Sequence, residues 1–321
     1  MRQLSFLMPG CETVENSSPV RRHFLSIKDL SVDALEGLID RTLALARGAP
    51  VKPLVGSVAN LFFEPSTRTR VSFELAAQAL GARVVNIEMA SSSATKGESL
   101  TDTCATLAAM GVGTLVVRHP DSGAVATLAA DLQGSAQLVN AGDGHGEHPS
   151  QALLDAATLQ ATGLDWPNAT LAIIGDLRHS RVARSGLQCF QALGIGCVRL
   201  AGPELMLPDW EVGSRVERVH TIEAAVQEAD AIMMLRVQHE RIDRTIWPEP
   251  LTYAHDWCLR EEHLARAHPD CRVLHPGPIN RGMEIESRVA DGRQSLILEQ
   301  VRMGVHARTA IFEWLQDEEQ S

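Results

Sequence analysis

The chain has few aromatic residues and no excess of positive charge, and both shortages exclude classes of partner. Aromatic residues make up 4% of the 321 positions, too few for a surface on which nucleic-acid bases stack. The formal net charge is −11, so the chain as a whole repels phosphate backbones and anionic lipid. We therefore expect no nucleic-acid and no membrane partner. Any bound anion must be held by a local cluster of arginine and lysine.

Cysteine pairs and long apolar runs are also missing. The 6 cysteines are scattered, and no C-x-x-C pair occurs, which favours reduced thiols over a disulfide framework or a zinc site. No stretch approaches the length of a membrane span, and the first apolar run is too short for a signal peptide. We expect a cytoplasmic protein.

Apolar runs of strand length alternate with runs of helix length along most of the chain. One β-α-β series runs from GSVANLFFE to AQLVNAG, and a second runs from ATLAIIGD to CRVLHP. This alternation is typical of parallel sheets covered by helices. We predict an α/β protein with two doubly wound parallel-sheet domains of similar size, at 23–148 and 149–298, joined by interdomain helices and preceded by an arm at 1–22. The last apolar helix, 299–321, could pack on either half.

The stretch FEPSTRTR, residues 63–70, raises the first functional question. Ser66 occupies the position of a helix N-cap, and capping alone is one interpretation. Two more hydroxyl residues and two arginines follow at once, where cations oppose the helix dipole unless an anion is bound. We favour an anion socket formed by the helix N-terminus with Ser66, Thr67, Arg68 and Thr69.

Other segments carry polar residues with more than one interpretation. Arg118 ends the apolar run TLVVR, where α/β proteins place site residues, although a surface ion pair would give the same pattern. The loop GDGHGEHPSQ contains His145 and His148 among acidic residues, but its spacing is not that of a zinc site. Gly175 follows a strand without the G-x-G-x-x-G pattern, which disfavours a dinucleotide.

Several of these motifs together resemble one family. F-x-P-S-T-R-T-R is the carbamoyl-phosphate signature of the transcarbamylases, and RHP, HPSQ, GDLRHSR, RVQHER and HPGPINR follow in the family's order. From residue 23 to the C-terminus the chain resembles the aspartate transcarbamylases within that family. The resemblance implies transfer of a carbamoyl group from carbamoyl phosphate to L-aspartate, the second step of de novo pyrimidine (UMP) synthesis. It implies no cofactor and no metal.

The resemblance also assigns the site residues. Residues 23–148 become the carbamoyl-phosphate domain, with the helix at 299–321 packing back on it, and 149–298 become the aspartate domain. The phosphate residues are Ser66, Thr67, Arg68, Thr69, Ser92 and Lys96. The carbamoyl residues are Arg118, His148, Gln151 and the backbone carbonyls of Gly277 and Pro278, and the peptide before Pro278 is expected to be cis. The aspartate residues are Arg181, Arg236 and Gln238.

Five of these residues are expected to be catalytic: Arg68, Thr69, Lys96, Arg118 and His148. Because arginines surround His148, we expect a neutral imidazole that donates an N–H to the carbamoyl oxygen. Departing phosphate is expected to take the proton of the attacking amine. Ser92 and Lys96 belong to the loop SSSATKGES, which in this family reaches the active site of a neighbouring subunit in a trimer. The resemblance therefore implies a homotrimer with shared sites.

Rival interpretations remain at this point. Ornithine transcarbamylases resemble H-C-L-P at the late loop, whereas this chain has Pro276 at the cysteine position and keeps RVQHER. Two guanidiniums suit the two carboxylates of aspartate, while ornithine would need an acidic partner for its ammonium. A catalytically silent relative and an NAD-linked oxidoreductase are the alternatives from other classes. A dihydroorotase-like or regulatory chain is a further possible partner, docked by the arm.

Overall fold

The computed structural model describes residues 21–88, 97–237 and 250–317. Within these ranges the strands form two sheets, and every pair of neighbouring strands in them is parallel. The prediction of an α/β protein with two parallel-sheet halves is confirmed. Most of the predicted arm lies outside the described residues.

The first half contains a sheet of four strands with helices between them. Its elements are α1 Val32–Ala46, β1 Ser57–Phe62, α2 Thr67–Ala79, β2 Arg83–Glu88, α3 Leu100–Ala109, β3 Thr114–His119, α4 Ala124–Leu132 and β4 Gln137–Asp143. The strand order is β2-β1-β3-β4, so β2 lies at one edge. Phe24 runs beside β4, because its N–H donates to Leu138 O at 2.8 Å and its carbonyl accepts from Asn140 N at 2.9 Å.

The second half contains a sheet of five strands. Helix α5 Pro149–Gln160 connects the halves. The following elements are β5 Thr170–Ile174, α6 Arg181–Ala192, β6 Cys197–Ala201, β7 Val216–Val219, α7 Ile222–Val226, β8 Ala231–Met234, α8 Pro250–Trp257, α9 Glu261–Leu264, β9 Arg272–Leu274, α10 Ser287–Ala290 and α11 Ile297–Gln316. The strand order is β7-β6-β5-β8-β9.

Two elements of this half differ from the prediction. Strand β7 was not predicted, because its residues are at most half-buried and its sequence, VERV, shows no apolar run. In the second predicted β-α-β series, the stretch CLREEHLARAHPD stands where a helix is expected before CRVLHP, but α9 covers only four of its residues. After Leu264 the chain leaves the helix, and the His268 N–H donates to Ala229 O at 3.1 Å before β9 begins.

The last helix joins the halves into one core. Helix α11 packs on α1, α2 and α5, so it contacts the first half along much of its length. Phe73 of α2 and Phe312 of α11 meet edge to face, with 5.8 Å between their ring centroids. One continuous cluster of buried apolar residues includes members of both sheets. In the described ranges, none of the helices combines the length and the hydropathy that crossing a bilayer requires.

Candidate active site

A cleft of about 700 Å³ opens where the carboxyl ends of the strands of both sheets face each other, the place where open α/β sheets bind ligands. It brings together every predicted site residue that the structure describes. These are Ser66, Thr67, Arg68, Thr69, Arg118, His148, Gln151, Arg181, Arg236, Gly277 and Pro278. The other three predicted residues, Ser92, Lys96 and Gln238, lie outside the described residues.

The N-terminus of α2 forms one wall of the cleft. Ser66 stands at the N-cap, but its hydroxyl makes no capping hydrogen bond. By contrast, Ser31 and Ser99 accept N–H bonds at the N-caps of α1 and α3. The hydroxyl of Ser66 and the free N–H groups of the first turn therefore stay available to an anion. Capping alone does not explain the motif.

Arg68 extends from this turn across to the loop after β9. Burial lowers the pKa of Arg68 first, and the nearby Arg236 lowers it further. Two guanidiniums that repel each other in a partly buried place favour a bound anion between them. Gly277 has φ +65°, and a Cβ there would lie 3.0 Å from Cζ of Arg68. The glycine at 277 therefore lets this guanidinium lie against the loop.

Two further arginines share one carboxylate. Oε2 of Glu64 lies 3.3 Å from Nε of Arg118 and 2.9 Å from Nη2 of Arg181. Arg118 lies near the end of β3 in the first half, and Arg181 begins α6 in the second half. Glu64 therefore links the two halves across the cleft. Nη1 of Arg181 also donates to Gly144 O at 3.2 Å. The role of Glu64 was not predicted from the sequence, where it was interpreted only as the end of a strand. Its position within the motif FEPSTRTR was the signal that could have indicated a role in the site.

His148 stands at the N-cap of α5, held there by its backbone. Pro149 starts the helix, and the His148 N–H donates to Oγ of Ser185 at 2.9 Å. The imidazole is 4% exposed, and across the described residues its Nδ1 has no hydrogen-bond partner. Burial lowers the pKa of His148 well below its ordinary value, and Arg181, Arg118 and Arg308 lower it further. The ring is therefore neutral, as predicted, although burial rather than the arginines is the main cause.

The loop after β9 forms the opposite wall. The peptide between Gly277 and Pro278 is cis, as expected. Nδ1 of His275 accepts the N–H of Gly277 at 2.8 Å, which leaves Nε2 to donate towards Oε1 of Glu284 at 3.2 Å. Both side chains of this pair are fully buried, so the loop has a rigid base.

Sequence reasoning missed three buried polar residues in or next to the cleft: Gln300 and Arg308, which line it, and Asp155, which contacts Gln300. Asp155 accepts from Gln151 and Gln300, and Arg308 lies over the ring of Phe73 with Cζ 4.9 Å from its centroid. Burial raises the pKa of Asp155 to about 7 and lowers that of Arg308 to about 10. The sequence signal for Asp155 was its place as the single charged residue of α5, whereas α11 contains several charged residues and does not single out Arg308.

The loop with two histidines shows no metal centre. Asp143 accepts the N–H groups of Gly123 at 2.6 Å and Glu147 at 2.7 Å, so it shapes the turn. Nδ1 of His145 lies 3.1 Å from His179 O, away from the other candidates. No group of three or more potential metal ligands occurs in the part of the chain that the structure describes.

Comparisons with known proteins agree with this arrangement. Residues 22–161 match the model of the aspartate/ornithine carbamoyltransferase carbamoyl-P binding domain. Residues 167–315 match that of the Asp/Orn binding domain. The chain is 47% identical over 302 residues to the aspartate carbamoyltransferase catalytic subunit of Stenotrophomonas maltophilia (strain K279a), covering 92% of this chain and 96% of that protein. The same identity holds over 301 residues for the subunit of that name from Xanthomonas oryzae pv. oryzae (strain MAFF 311018), with 92% and 96% covered.

Solved structures show the same likeness. Aspartate transcarbamoylase from Trypanosoma cruzi in complex with carbamoyl aspartate and phosphate is 30% identical, with a TM-score of 0.80, covering 92% of this chain and 96% of that one. The same enzyme with N-(phosphonacetyl)-L-aspartic acid is also 30% identical, with a TM-score of 0.81 and 91% and 96% covered. Ornithine carbamoyltransferase from Gloeobacter violaceus is 25% identical, with a TM-score of 0.79 and 94% and 100% covered.

Proposed function

The chain belongs to the aspartate/ornithine carbamoyltransferase family, and from this membership and the geometry of its cleft we propose that it carbamoylates L-aspartate. Carbamoyl phosphate and L-aspartate give N-carbamoyl-L-aspartate and phosphate, the second step of de novo pyrimidine synthesis. One observation supports this assignment above the others. The N-terminus of α2 and the two arginines suited to a dicarboxylate, Arg181 and Arg236, line a single cleft.

Carbamoyl phosphate is proposed to bind at the N-terminus of α2. The proposed donors to its phosphate are the first-turn N–H groups, the hydroxyls of Ser66, Thr67 and Thr69, and the guanidinium of Arg68, all of which line the cleft. Ser92 and Lys96, from the loop after β2, are proposed to complete the socket. The negative net charge of the chain does not oppose this, because the cations concentrate locally in the cleft.

Aspartate fits the second half of the cleft better than ornithine does. The described cleft lining contains one acidic residue close to its arginines, Glu64, and that carboxylate already contacts Arg118 and Arg181. The ammonium of ornithine would find repulsion from Arg181 and Arg236 there. The two carboxylates of aspartate can each accept from one guanidinium, and Gln238 is proposed to add a further donor.

Catalysis is proposed to depend on the positioning of the two substrates and on hydrogen-bond donors directed at the developing oxyanion. The neutral amine of aspartate attacks the carbamoyl carbon, and negative charge develops on the carbamoyl oxygen. Thr69, Arg118 and neutral His148 are the proposed donors to this oxygen, and removal of one such donor typically costs about 3 kcal/mol. As the C–O bond to phosphate breaks, the departing phosphate takes the proton that the amine loses. Every step uses groups that line the cleft or the substrates themselves.

Closure of the two halves is proposed to complete the site. Glu64 of the first half already contacts Arg181 of the second at 2.9 Å. Arg181 and Arg236 both belong to the second half, so an aspartate bound to them would draw the halves together through its contact with the carbamoyl phosphate held by the first half, and closure would exclude water. Gln151 and the carbonyls of Gly277 and Pro278 are proposed to hold the carbamoyl amino group meanwhile.

The assembly is proposed to be a cytoplasmic homotrimer with sites shared between subunits. Strand β2 is an edge strand, and it leads directly into the loop that carries Ser92 and Lys96. Val71 and Leu75 of α2 and Val85 of β2 are each more than 40% exposed, so these two elements carry exposed apolar surface. A larger assembly with a dihydroorotase-like or regulatory chain is a further proposal that rests on family resemblance alone.

A colorimetric assay for carbamoylated amino acid tests the assignment. The purified protein is given carbamoyl phosphate with either L-aspartate or L-ornithine. Product with aspartate alone is the expected result. Product with ornithine in preference to aspartate would overturn the substrate assignment, and no product with either would favour a catalytically silent relative. Absorbance of NADH, unchanged in the presence of candidate acids, would exclude the oxidoreductase alternative.

A further inference from the structure

Asp155 lies behind the cleft, on a face of α5 that is entirely buried. Its exposed fraction is 0%. Oδ1 accepts two hydrogen bonds, from Nε2 of Gln151 at 2.9 Å and from Nε2 of Gln300 at 2.7 Å. In the described part of the chain, Oδ2 has no hydrogen-bond partner. One carboxylate oxygen therefore holds the amide nitrogens of two glutamines from different helices.

The bond to Asp155 fixes the orientation of the Gln300 amide. A glutamine amide has a donor end and an acceptor end, and the carboxylate accepts only from the donor end. Oε1 of Gln300 consequently faces the other way, and it accepts the backbone N–H of His275 at 2.9 Å. His275 in turn accepts the N–H of Gly277. The loop that supplies the Gly277 carbonyl is thus tied to the same carboxylate.

The Gln151 amide is oriented by the same rule. Because its Nε2 donates to Asp155, its Oε1 is the end left for the cleft, which Gln151 lines. Oε1 makes no hydrogen bond within the described ranges. The amide oxygen of Gln151 and the backbone carbonyls of Gly277 and Pro278 are all acceptors. A group that carries two N–H donors satisfies them, whereas a methyl group leaves them unpaired.

We propose, on the basis of the proposed carbamoyl transfer, that Asp155 is a positioning residue. It sets the direction of the Gln151 and Gln300 amides, and through them it makes this end of the cleft selective for the carbamoyl amino group. Without a fixed acceptor behind it, the Gln151 amide can rotate and present its N–H₂ to the substrate. A donor would then face a donor, and recognition of the amino group would be lost while the phosphate socket stays intact.

Acetyl phosphate is the probe that isolates this effect, because it replaces the amino group by a methyl group and keeps the phosphate. The KM for carbamoyl phosphate and the inhibition constant of acetyl phosphate are measured for the wild type and for Asp155→Leu. We expect the variant to lose about tenfold or more of the preference for carbamoyl phosphate, with little change in the inhibition constant. Asp155→Asn, whose amide oxygen can still accept both bonds, should retain most of the preference.

Control variants separate positioning from a general packing role. Thr158 lies on the same helix, is buried, and donates only to Leu154 O at 2.7 Å, so Thr158→Val should leave both constants unchanged. If Asp155→Leu does not fold, Gln300→Met removes the tie to His275 and should lower the preference in the same direction. Equal loss of affinity for both phosphates, or an unchanged preference in variants that fold, would overturn the inference.

The outcome for Asp155 is distinguishable from the outcome for the proposed function. A wild type that forms no carbamoyl-aspartate would overturn the proposed function. A wild type that forms it, together with an Asp155→Leu protein of unchanged preference, would overturn the positioning role alone.

Discussion

Arg118 and Arg181 lie on opposite sides of the cleft, and both contact the same oxygen of Glu64, at 3.3 Å and 2.9 Å. The two arginines are proposed to bind different substrates, and on that proposal a single carboxylate connects the two binding subsites. It balances part of their charge and fixes the direction of each guanidinium. A substrate anion that binds either arginine must displace the Glu64 carboxylate or move together with it. Such a change at one arginine alters the contact of Glu64 with the other arginine, which couples the two subsites.

Replacement of Glu64 by glutamine should lower kcat and raise the KM for aspartate. The amide keeps the size of the side chain but loses the charge that links the halves, so Arg181 is held less firmly and closure is less favourable. Loss of a partly buried, charge-assisted contact of this kind typically costs about 2–3 kcal/mol, or roughly 30–150-fold in kcat/KM. Steady-state kinetics with aspartate as the varied substrate provide the measurement.

Glu299→Gln is the matched control for this change. Glu299 contacts Arg302 at 2.9 Å in a partly exposed pair within α11, where a salt bridge contributes little. The kinetic constants of this variant should equal those of the wild type. An unaltered kcat/KM in Glu64→Gln would contradict the coupling of the two subsites through Glu64.

His148→Ala should lower kcat by about 10²-fold, because it removes one proposed donor to the carbamoyl oxygen. The sign of the pH dependence follows from the lowered pKa of His148, whose main cause is burial. The imidazole is neutral at and below its ordinary pKa of 6.5, so the activity that depends on it is retained as pH falls through that value. The ratio of wild-type to variant kcat should therefore stay constant through about pH 6.

His145→Asn serves as the control. His145 belongs to the same loop, but its ring is exposed and its Nδ1 contacts the backbone carbonyl of His179. It should retain wild-type kcat. A wild-type to His148→Ala ratio that collapses between about pH 7 and pH 6 would show a histidine that protonates at its ordinary pKa, contrary to a buried neutral ring.

The described residues predicted for the site line one cleft, whereas several of the residues that support them could not be predicted from the sequence. Ser66, Arg118 and Arg181 stand at strand or helix ends, where turn chemistry and charge are visible in the local pattern. Asp155 is also visible as the single charged residue of α5, whereas Arg308 is one of several charged residues of α11. Their partners, however, come from distant parts of the chain, as with Asp155 and Gln300, which lie 145 positions apart. Local periodicity carries no information about such contacts. Strand β7 was missed because its half-exposed sequence, VERV, contains no apolar run.

Mixed trimers of two inactive variants should regain activity if the sites are shared. Lys96→Ala removes a residue proposed to act in the neighbouring site, and Arg118→Ala removes one that acts in its own. In a closed three-subunit ring that contains both variants, one site has both wild-type residues, so activity should reach at most about one third of the wild-type value. The assay follows a mixture that has been dissociated and reassembled, and hybrids are verified by native mass spectrometry, because the two variant subunits lose the same charge but differ in mass. Hybrids that form without activity would contradict shared sites.

The stability of the protein should depend on the ionisation of Asp155. Its pKa is raised from 3.8 to about 7, mainly by burial, while Gln300, Gln151 and Arg308 oppose that rise. The folded state therefore binds the proton more tightly than the unfolded state does. The stabilising contribution of this group is fully present below pH 3.8 and is lost as pH rises towards 7. The loss is on the order of 4 kcal/mol, at 1.36 kcal/mol for each pKa unit.

Urea unfolding of the wild type and Asp155→Asn, at several values between about pH 4 and pH 8, measures this dependence. Because the variant lacks the ionising group, its stability relative to the wild type should increase as pH rises across that window. Asp291→Asn is the control: the pKa of Asp291 is lowered by its exposed partner Arg281, so its contribution changes only below its ordinary range. Parallel stability curves for the wild type and Asp155→Asn would mean that the carboxyl of Asp155 is ionised throughout the window. Its bonds to the two glutamines would then offset the whole cost of burying the charge.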